Sequence, residues 1–214
     1  MFRDRKDAGT KLASKLLNYK DNKDALVLAL PRGGVVTGYE VARTLGVPLD
    51  VLIVRKIGVP WQPELAAGAL SETGSLVLNK LIVSGYRISK EFIEGEVSRQ
   101  KEEIRRRIEL YRMGKNIADV GGKTIILIDD GVATGATMKA AIETLREAKI
   151  GKLVVALPVS PSDTAKELSG LSDQFISIET YEDFLAVGNY YQDFTQVSDG
   201  EVVDLLERSK KEKS

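Results

Sequence analysis

Short apolar runs alternate along this chain with longer stretches whose apolar residues recur every three or four positions. The runs are Ala25–Leu30 (ALVLAL), Leu49–Val54, Ile125–Ile128, Lys152–Leu157 (KLVVAL) and Gln174–Ile178. They are short, continuous and rich in Val, Ile and Leu, the pattern of strands buried on both faces. Helical spacing marks Arg5–Leu17 through Ala8, Leu12, Leu16 with Ala13, Leu17. It also marks VVTGYEVARTLG, closed by Gly46, and the stretch from Met138 through Ala141, Ile142 and Leu145 to Ala148. Ser89–Met113 carries a long stripe of Ile93, Val97, Ile104, Ile108 and Tyr111. A short helix after PVSPSDTAKEL has Ser162 or Asp163 as its cap, and a last helix begins at Asp199–Leu206 before a frayed polar SKKEKS tail. Only Glu64–Gly85 breaks the alternation. There ELAAGALSETG reads as an edge strand, and SLVLNKLIVSG as a hairpin turning near Asn79-Lys80. Strands alternating with helices predict an α/β fold: a doubly wound, mainly parallel sheet with helices on both faces.

The stretch KTIILIDDGVATGATMKAAIETLREA holds the most chemistry. Its apolar strand ends in two adjacent acids, Asp129 and Asp130. A loop of small and hydroxyl residues, Gly131 to Thr137, then leads into a helix. Open α/β sheets bind ligands at such strand ends. Thr134 and Thr137 offer hydroxyls, Gly135 permits close backbone approach, and the first helical N–H groups attract an anion. The acids cannot serve that same anion, because like charges repel. They suit vicinal hydroxyls, a divalent cation or a developing positive charge beside it. A phosphate, a diol and a metal together describe a ribose 5-phosphate. The competing structural reading is a buried strand with a helix-capping turn. A phospho-receiver domain is a further competitor, but no later strand here ends in an Asp followed by a suitable Lys.

Composition narrows the chemistry further. With neither Cys nor His in 214 residues, thiolate, Ser-His-Asp and Cys-His mechanisms are excluded, as is a structural zinc site of the usual ligands. Lys+Arg and Asp+Glu are equal at 31 each, which gives no support for a nucleic-acid partner. No apolar run reaches membrane length and MFRDRKDAG is not a signal peptide, so a soluble cytoplasmic protein with no membrane partner is expected.

ILIDDGVATGAT resembles the phosphoribosyl-pyrophosphate (PRPP) motif of type I phosphoribosyltransferases. The resemblance implies that Asp129 and Asp130 hold the ribose 2- and 3-hydroxyls and the Mg²⁺ shell. It implies that Ala133, Thr134, Gly135, Ala136 and Thr137 wrap the 5-phosphate. Pro31-Arg32-Gly33-Gly34, after the first strand, resembles the family's pyrophosphate loop, although a Gly pair also serves a plain tight turn. Arg55-Lys56-Ile57-Gly58-Val59-Pro60 resembles the segment whose basic pair touches pyrophosphate, the alternative being a solvated pair. Arg32, Lys56 and the two acids are thus the implied catalytic set, with Gly33, Gly34 and Arg55 as substrate contacts. A flap over PRPP would fall at Ser71–Tyr86. Late aromatics, among them Phe184 and Tyr190, resemble the nucleobase side of purine-type members, and would equally make a core cluster. Trp61, between Pro60 and Pro63, reads as core packing. Arg105-Arg106-Arg107 reads as a solvated face paired to Glu102, Glu103 and Glu109.

By resemblance, residues 1–214 form one phosphoribosyltransferase-like domain. Its sheet order would be 3-2-1-4-5-6, with an antiparallel edge strand from Glu64–Ser71. A flap and long-helix insertion spans about 64–118, and hood-like parts come from the N-terminal helix and about 180–200. The implied reaction is Mg²⁺-dependent transfer of the 5-phosphoribosyl group of PRPP to a nitrogenous base with release of pyrophosphate, by a homo-oligomer such as a dimer. The alternative is a non-catalytic PRPP- or nucleotide-sensing regulator; a weaker one is an assembly subunit using only the Ser89–Met113 helix. One departure stands out. Hypoxanthine–guanine members carry an Asp where Ala133 stands, and it exchanges a proton with the purine. Here that proton would have to come from elsewhere, from Glu72 or Asp193.

Overall fold

The computed structural model describes residues 1–212, the side chains of Pro63 and Glu64 apart. The elements run α1 (Arg5–Ser14), β1 (Ala25–Ala29), α2 (Gly33–Leu45), β2 (Leu49–Val51), β3 (Val54–Val59), β4 (Gln62–Ser71), β5 (Leu76–Leu78), α3 (Lys80–Gly85) and α4 (Lys90–Arg112). After these come β6 (Thr124–Ile128), α5 (Ala136–Glu147), β7 (Lys152–Pro161), α6 (Ser162–Leu171), β8 (Gln174–Tyr181) and α7 (Asp199–Lys211). Strands β2-β1-β6-β7-β8 form a parallel five-stranded sheet, in which Val27 pairs with Ile126 and Ile126 with Val154.

Both faces of this sheet are covered, which is why its strands are continuously apolar. Ile126 and Ile128 point into a core shared with Leu12, Val35, Val202 and Leu206 from α1, α2 and α7. Ile125 and Leu127 point the other way, onto Met138, Ile142, Leu145 and Leu168 from α5 and α6. Each such side chain contributes about 1.5–3 kcal/mol by leaving water. Helices α2, α5 and α6 are the crossovers, and the strand order reverses between β1 and β6. Ligand sites open at such a reversal.

The expected order 3-2-1-4-5-6 is not what forms. Residues 62–71 do not edge the main sheet; they pair antiparallel with β3 and β5 in a separate three-stranded sheet. The apolar run Leu49–Val54 splits between the two sheets at Leu52-Ile53. Ile53 donates its N–H to Glu72 Oε1 at 2.8 Å, and its carbonyl accepts the Glu72 N–H at 2.9 Å, so its backbone is spent on the turn after β4. No hairpin turns at Asn79. Its side chain instead accepts the Ile82 N–H and caps α3. Neither Ser162 nor Asp163 caps α6: β7 runs on to Pro161, which holds the N-cap position without a side-chain bond. The polar end does not fray where expected, because α7 continues to Lys211, and Tyr39 donates its hydroxyl to Glu212 Oε1 at 2.7 Å. Trp61 is 84% exposed rather than packed in a core. Among the described residues no helix is long and apolar enough to cross a membrane.

Candidate active site

The acids stand just past the end of β6, at the strand-order reversal. Gly33 and Gly34 are not in a loop; they open α2, and they lie directly against the acids. A Cβ on Gly33 would fall 1.9 Å from Asp130 Oδ2, and one on Gly34 would fall 2.8 Å from Asp129 Oδ1. Only glycine allows this approach. The acids therefore face the positive end of α2. Asp129 Oδ1 accepts the Asp130 N–H at 2.9 Å. Burial, and then the neighbouring Asp130 charge, pushes the Asp129 carboxyl well above its ordinary range. Burial raises Asp130 too, against the opposing pull of Arg5, whose Nε lies 2.6 Å from Asp130 Oδ2. The Pro31-Arg32 peptide before α2 is cis.

The phosphate loop lies on the other side of the acids. Gly135 is left-handed at φ 70°, a conformation that costs other residues, and it is the N-cap of α5. Ala136 and Thr137 thus belong to the first turn of α5, while Ala133 and Thr134 are exposed. Thr164 of α6 holds the loop by donating its hydroxyl to the Ala133 carbonyl at 2.8 Å, with its methyl against Gly135. A largely apolar hollow of about 240 Å³ separates Thr134 and Ala136 from Leu65, Val77 and Ile82 of the smaller sheet and α3.

The basic residues are more dispersed than expected. Arg32 holds the N-cap position of α2, with Nη1 4.0 Å from Asp199 Oδ1. Arg55 and Lys56 do not end a strand of the main sheet; they lie within β3 and line a hollow of about 360 Å³ with Arg99 and Gln100 of α4. Arg55 Nε donates to Gln100 Oε1 at 2.9 Å, and burial, followed by nearby Arg107, lowers its pKa. Helix α4 connects this hollow to Arg32: Tyr111 and Arg106 both bond Asp199. The basic run pairs with Glu103 and Asp199, not with Glu102 or Glu109. Arg106 and Arg107 hold the Glu103 carboxyl down to about 2.

The late aromatics form one cluster. Tyr190 stacks at 4.4 Å on Tyr181 and at 4.8 Å on Phe184, over a base that includes Phe2 and Val159. Phe2 bridges to Tyr191, so the first residues and the 181–195 segment form a single hood. Tyr191, not Tyr190, reaches the acids, donating its hydroxyl to the Asp130 carbonyl. Of the two proton sources considered, Glu72 is locked in a buried ion pair with Arg112, and Asp193 accepts from Thr195. Arg5, Thr164 and Tyr191 are the site residues that sequence reasoning missed. Tyr191 lay within a segment already singled out; Arg5 and Thr164 carry no local signal.

The pattern extends to known proteins. The phosphoribosyl transferase domain model matches residues 3–194. Two Mycobacterium tuberculosis proteins, from strains CDC 1551 and H37Rv, each provisionally named a phosphoribosyl transferase, are 44% identical over 98% of this chain. The chain spans about half, 47%, of the length of these curated relatives. The crystal structure of TT1426 from Thermus thermophilus is 41% identical, with a TM-score of 0.81 over 97% of this chain and 98% of that one. A structure of the Aquifex aeolicus AQ2163 protein shares the fold at 11% identity, with a TM-score of 0.53 over 94% and 84% of the two chains. With the family model spanning most of its length and relatives this similar, the chain belongs to the phosphoribosyl transferase domain family.

Proposed function

We propose that this protein transfers the 5-phosphoribosyl group of PRPP to a nitrogenous base. One observation carries the reading: two helix N-termini, those of α2 and α5, flank a pair of acids at one strand end. Helix N-termini suit anions, and the acids between them suit hydroxyls. PRPP has that layout, with a pyrophosphate and a 5-phosphate on either side of a diol. The base nitrogen would attack C1 of the ribose. The C1–O bond to pyrophosphate breaks, and pyrophosphate leaves with the electron pair.

Ala133 to Thr137 wrap the 5-phosphate, and Asp129 and Asp130 accept the hydroxyls and face the cationic sugar. Gly33, Gly34 and Arg32 receive the pyrophosphate. Arg55 and Lys56 join them when Arg55 exchanges its Gln100 partner for the ligand. Phe184 and Tyr190 offer ring faces to the base. Asp129 and Asp130 fit a Mg²⁺ ion in part. Among the described residues no group of three His, Cys, Asp or Glu could cage one, so these two acids would share it with ligand and water. When bound, the ion neutralises phosphate charge.

The test is pyrophosphate release from PRPP and Mg²⁺ with adenine, hypoxanthine, guanine, xanthine, uracil and orotate. Turnover of one base supports the transferase. PRPP binding with no release supports the sensor, a reading favoured by Arg5 and Asp199, which already pair Asp130 and Arg32 without ligand. Absence of PRPP binding refutes both.

A further inference from the structure

Arg5 sits where three parts of the site meet. Its Nε donates to Asp130 Oδ2 at 2.6 Å and its Nη1 to the Thr195 carbonyl at 2.8 Å. Its guanidinium lies over the Phe194 ring, 3.8 Å from the centroid. A Cβ on Gly33 would come within 2.8 Å of its Nε, so the first turn of α2 closes the fourth side. The Arg5 and Asp130 side chains are only 10% and 13% exposed. An exposed pair would contribute little, whereas breaking an enclosed one leaves a charge without water or partner.

The geometry has a consequence for the diol. Asp130 commits Oδ2 to Arg5, and Asp129 commits Oδ1 to the Asp130 N–H. Each carboxylate is thereby fixed by one oxygen and keeps its second. Two hydroxyls on adjacent carbons need two acceptors at a set spacing, and a freely rotating carboxylate would lose that spacing. The stacking of Arg5 on Phe194 and its bond to Thr195 fix the guanidinium in turn.

We propose that Arg5 is a positioning residue of the ribose site: it orients the Asp130 carboxylate to accept a ribose hydroxyl, and the hood holds Arg5 in place. The proposal rests on the phosphoribosyl reading above. The experiment compares wild type, Arg5→Ala and Arg5→Lys by calorimetric binding of PRPP with Mg²⁺, ribose 5-phosphate and inorganic phosphate. In Arg5→Ala the two ribose ligands weaken roughly tenfold or more, the size of a lost bond to a charged group. Inorganic phosphate, which has no hydroxyl for Asp130, weakens by no more than about threefold, the size of a distant lost charge. Arg5→Lys keeps the charge and recovers part of the ribose affinity alone. If the alanine variant does not fold, the lysine variant carries the test through the same ribose-selective loss. Equal loss for all three ligands, or no loss in either variant, overturns the proposal while leaving the phosphoribosyl reading intact. If wild type binds inorganic phosphate but neither ribose ligand, that reading falls and takes this proposal with it.

Discussion

Replacing Gly33 and Gly95 each by alanine makes one chemical change on two helices, and it should move stability in opposite directions. Gly95 lies in α4, exposed, with nothing within 4 Å of an added Cβ. Alanine there restricts the unfolded chain and favours the helix, a gain of about 0.5–1 kcal/mol. At Gly33 the new Cβ would stand 1.9 Å from Asp130 Oδ2 and 2.7 Å from its Cγ. Ordinary contact needs roughly 3.5 Å, so the carboxylate must retreat by about 1.6 Å. It cannot do so and keep Arg5 at 2.6 Å. Breaking an enclosed ion pair costs about 3–5 kcal/mol, and the propensity gain offsets less than about 1. The net loss of about 2–4 kcal/mol lowers the melting temperature by about 5–15 °C for a domain of this size. Calorimetric melting and a urea titration read both variants, and Gly95→Ala serves as the control. A Gly33→Ala protein that melts within about 2 °C of wild type would refute the argument, since it would show that the acid pair and α2 can part cheaply.

Other outcomes follow from the same geometry. Asp129→Asn should raise the melting temperature near pH 7 and abolish PRPP binding. The Asp129 carboxyl is raised in the fold, so its contribution to stability is full in acid below the ordinary carboxylate range and is lost as pH rises through the folded value. The gain should therefore vanish below about pH 4, and melts across pH decide it. Glu103→Gln should have the opposite profile. Its carboxyl is held at about 2 by Arg106 and Arg107, so that stability is present above the ordinary Glu value and is lost as pH falls toward 2. Its side chain is 26% exposed, so the loss at neutral pH is about 1 kcal/mol, measured by urea titration. Thr164→Val keeps the methyl against Gly135 but strands the Ala133 carbonyl, which should cost about 1 kcal/mol and weaken inorganic phosphate binding. Because Ala133 can neither give nor take a proton, kcat/KM for hypoxanthine or guanine should stay below about 10⁴ M⁻¹s⁻¹, and efficient turnover would show that the proton comes from elsewhere.

The centre of the site was legible because its signal is contiguous. Strand β6, its two acids, the loop and α5 follow one another, so periodicity and motif locate them together. Tertiary assignments were harder. An apolar run such as Leu49–Val54 cannot reveal that Ile53 spends its backbone on Glu72, and so it hides the boundary between two sheets. The family's strand order carried the same error into the placement of Arg55 and Lys56. A polar tail reads as frayed unless the hydroxyl of distant Tyr39 is known to hold it. Trp61 shows the limit of composition alone: a large aromatic side chain between prolines can still face water. Arg5 is the strongest case, an ordinary arginine at a helix start whose partner lies 125 residues away.

The hood also sets a timetable. Phe2 donates its N–H to the Tyr190 carbonyl at 2.8 Å and accepts from Gln192 at 2.8 Å, while Arg5 waits for Thr195. These are among the most distant pairings along the chain, and contacts of such separation form slowly because a long loop must close first. A ribosome working at about 5–20 residues per second delivers residue 195 roughly 10–40 s after residue 5. Through that interval β1, α2 and β6 can assemble, but the acid pair waits for the hood, and Phe2 and Phe194 wait for each other's surroundings. The ligand site is thus the last region to mature on a nascent chain, and until then its apolar hood surfaces are those open to a chaperone.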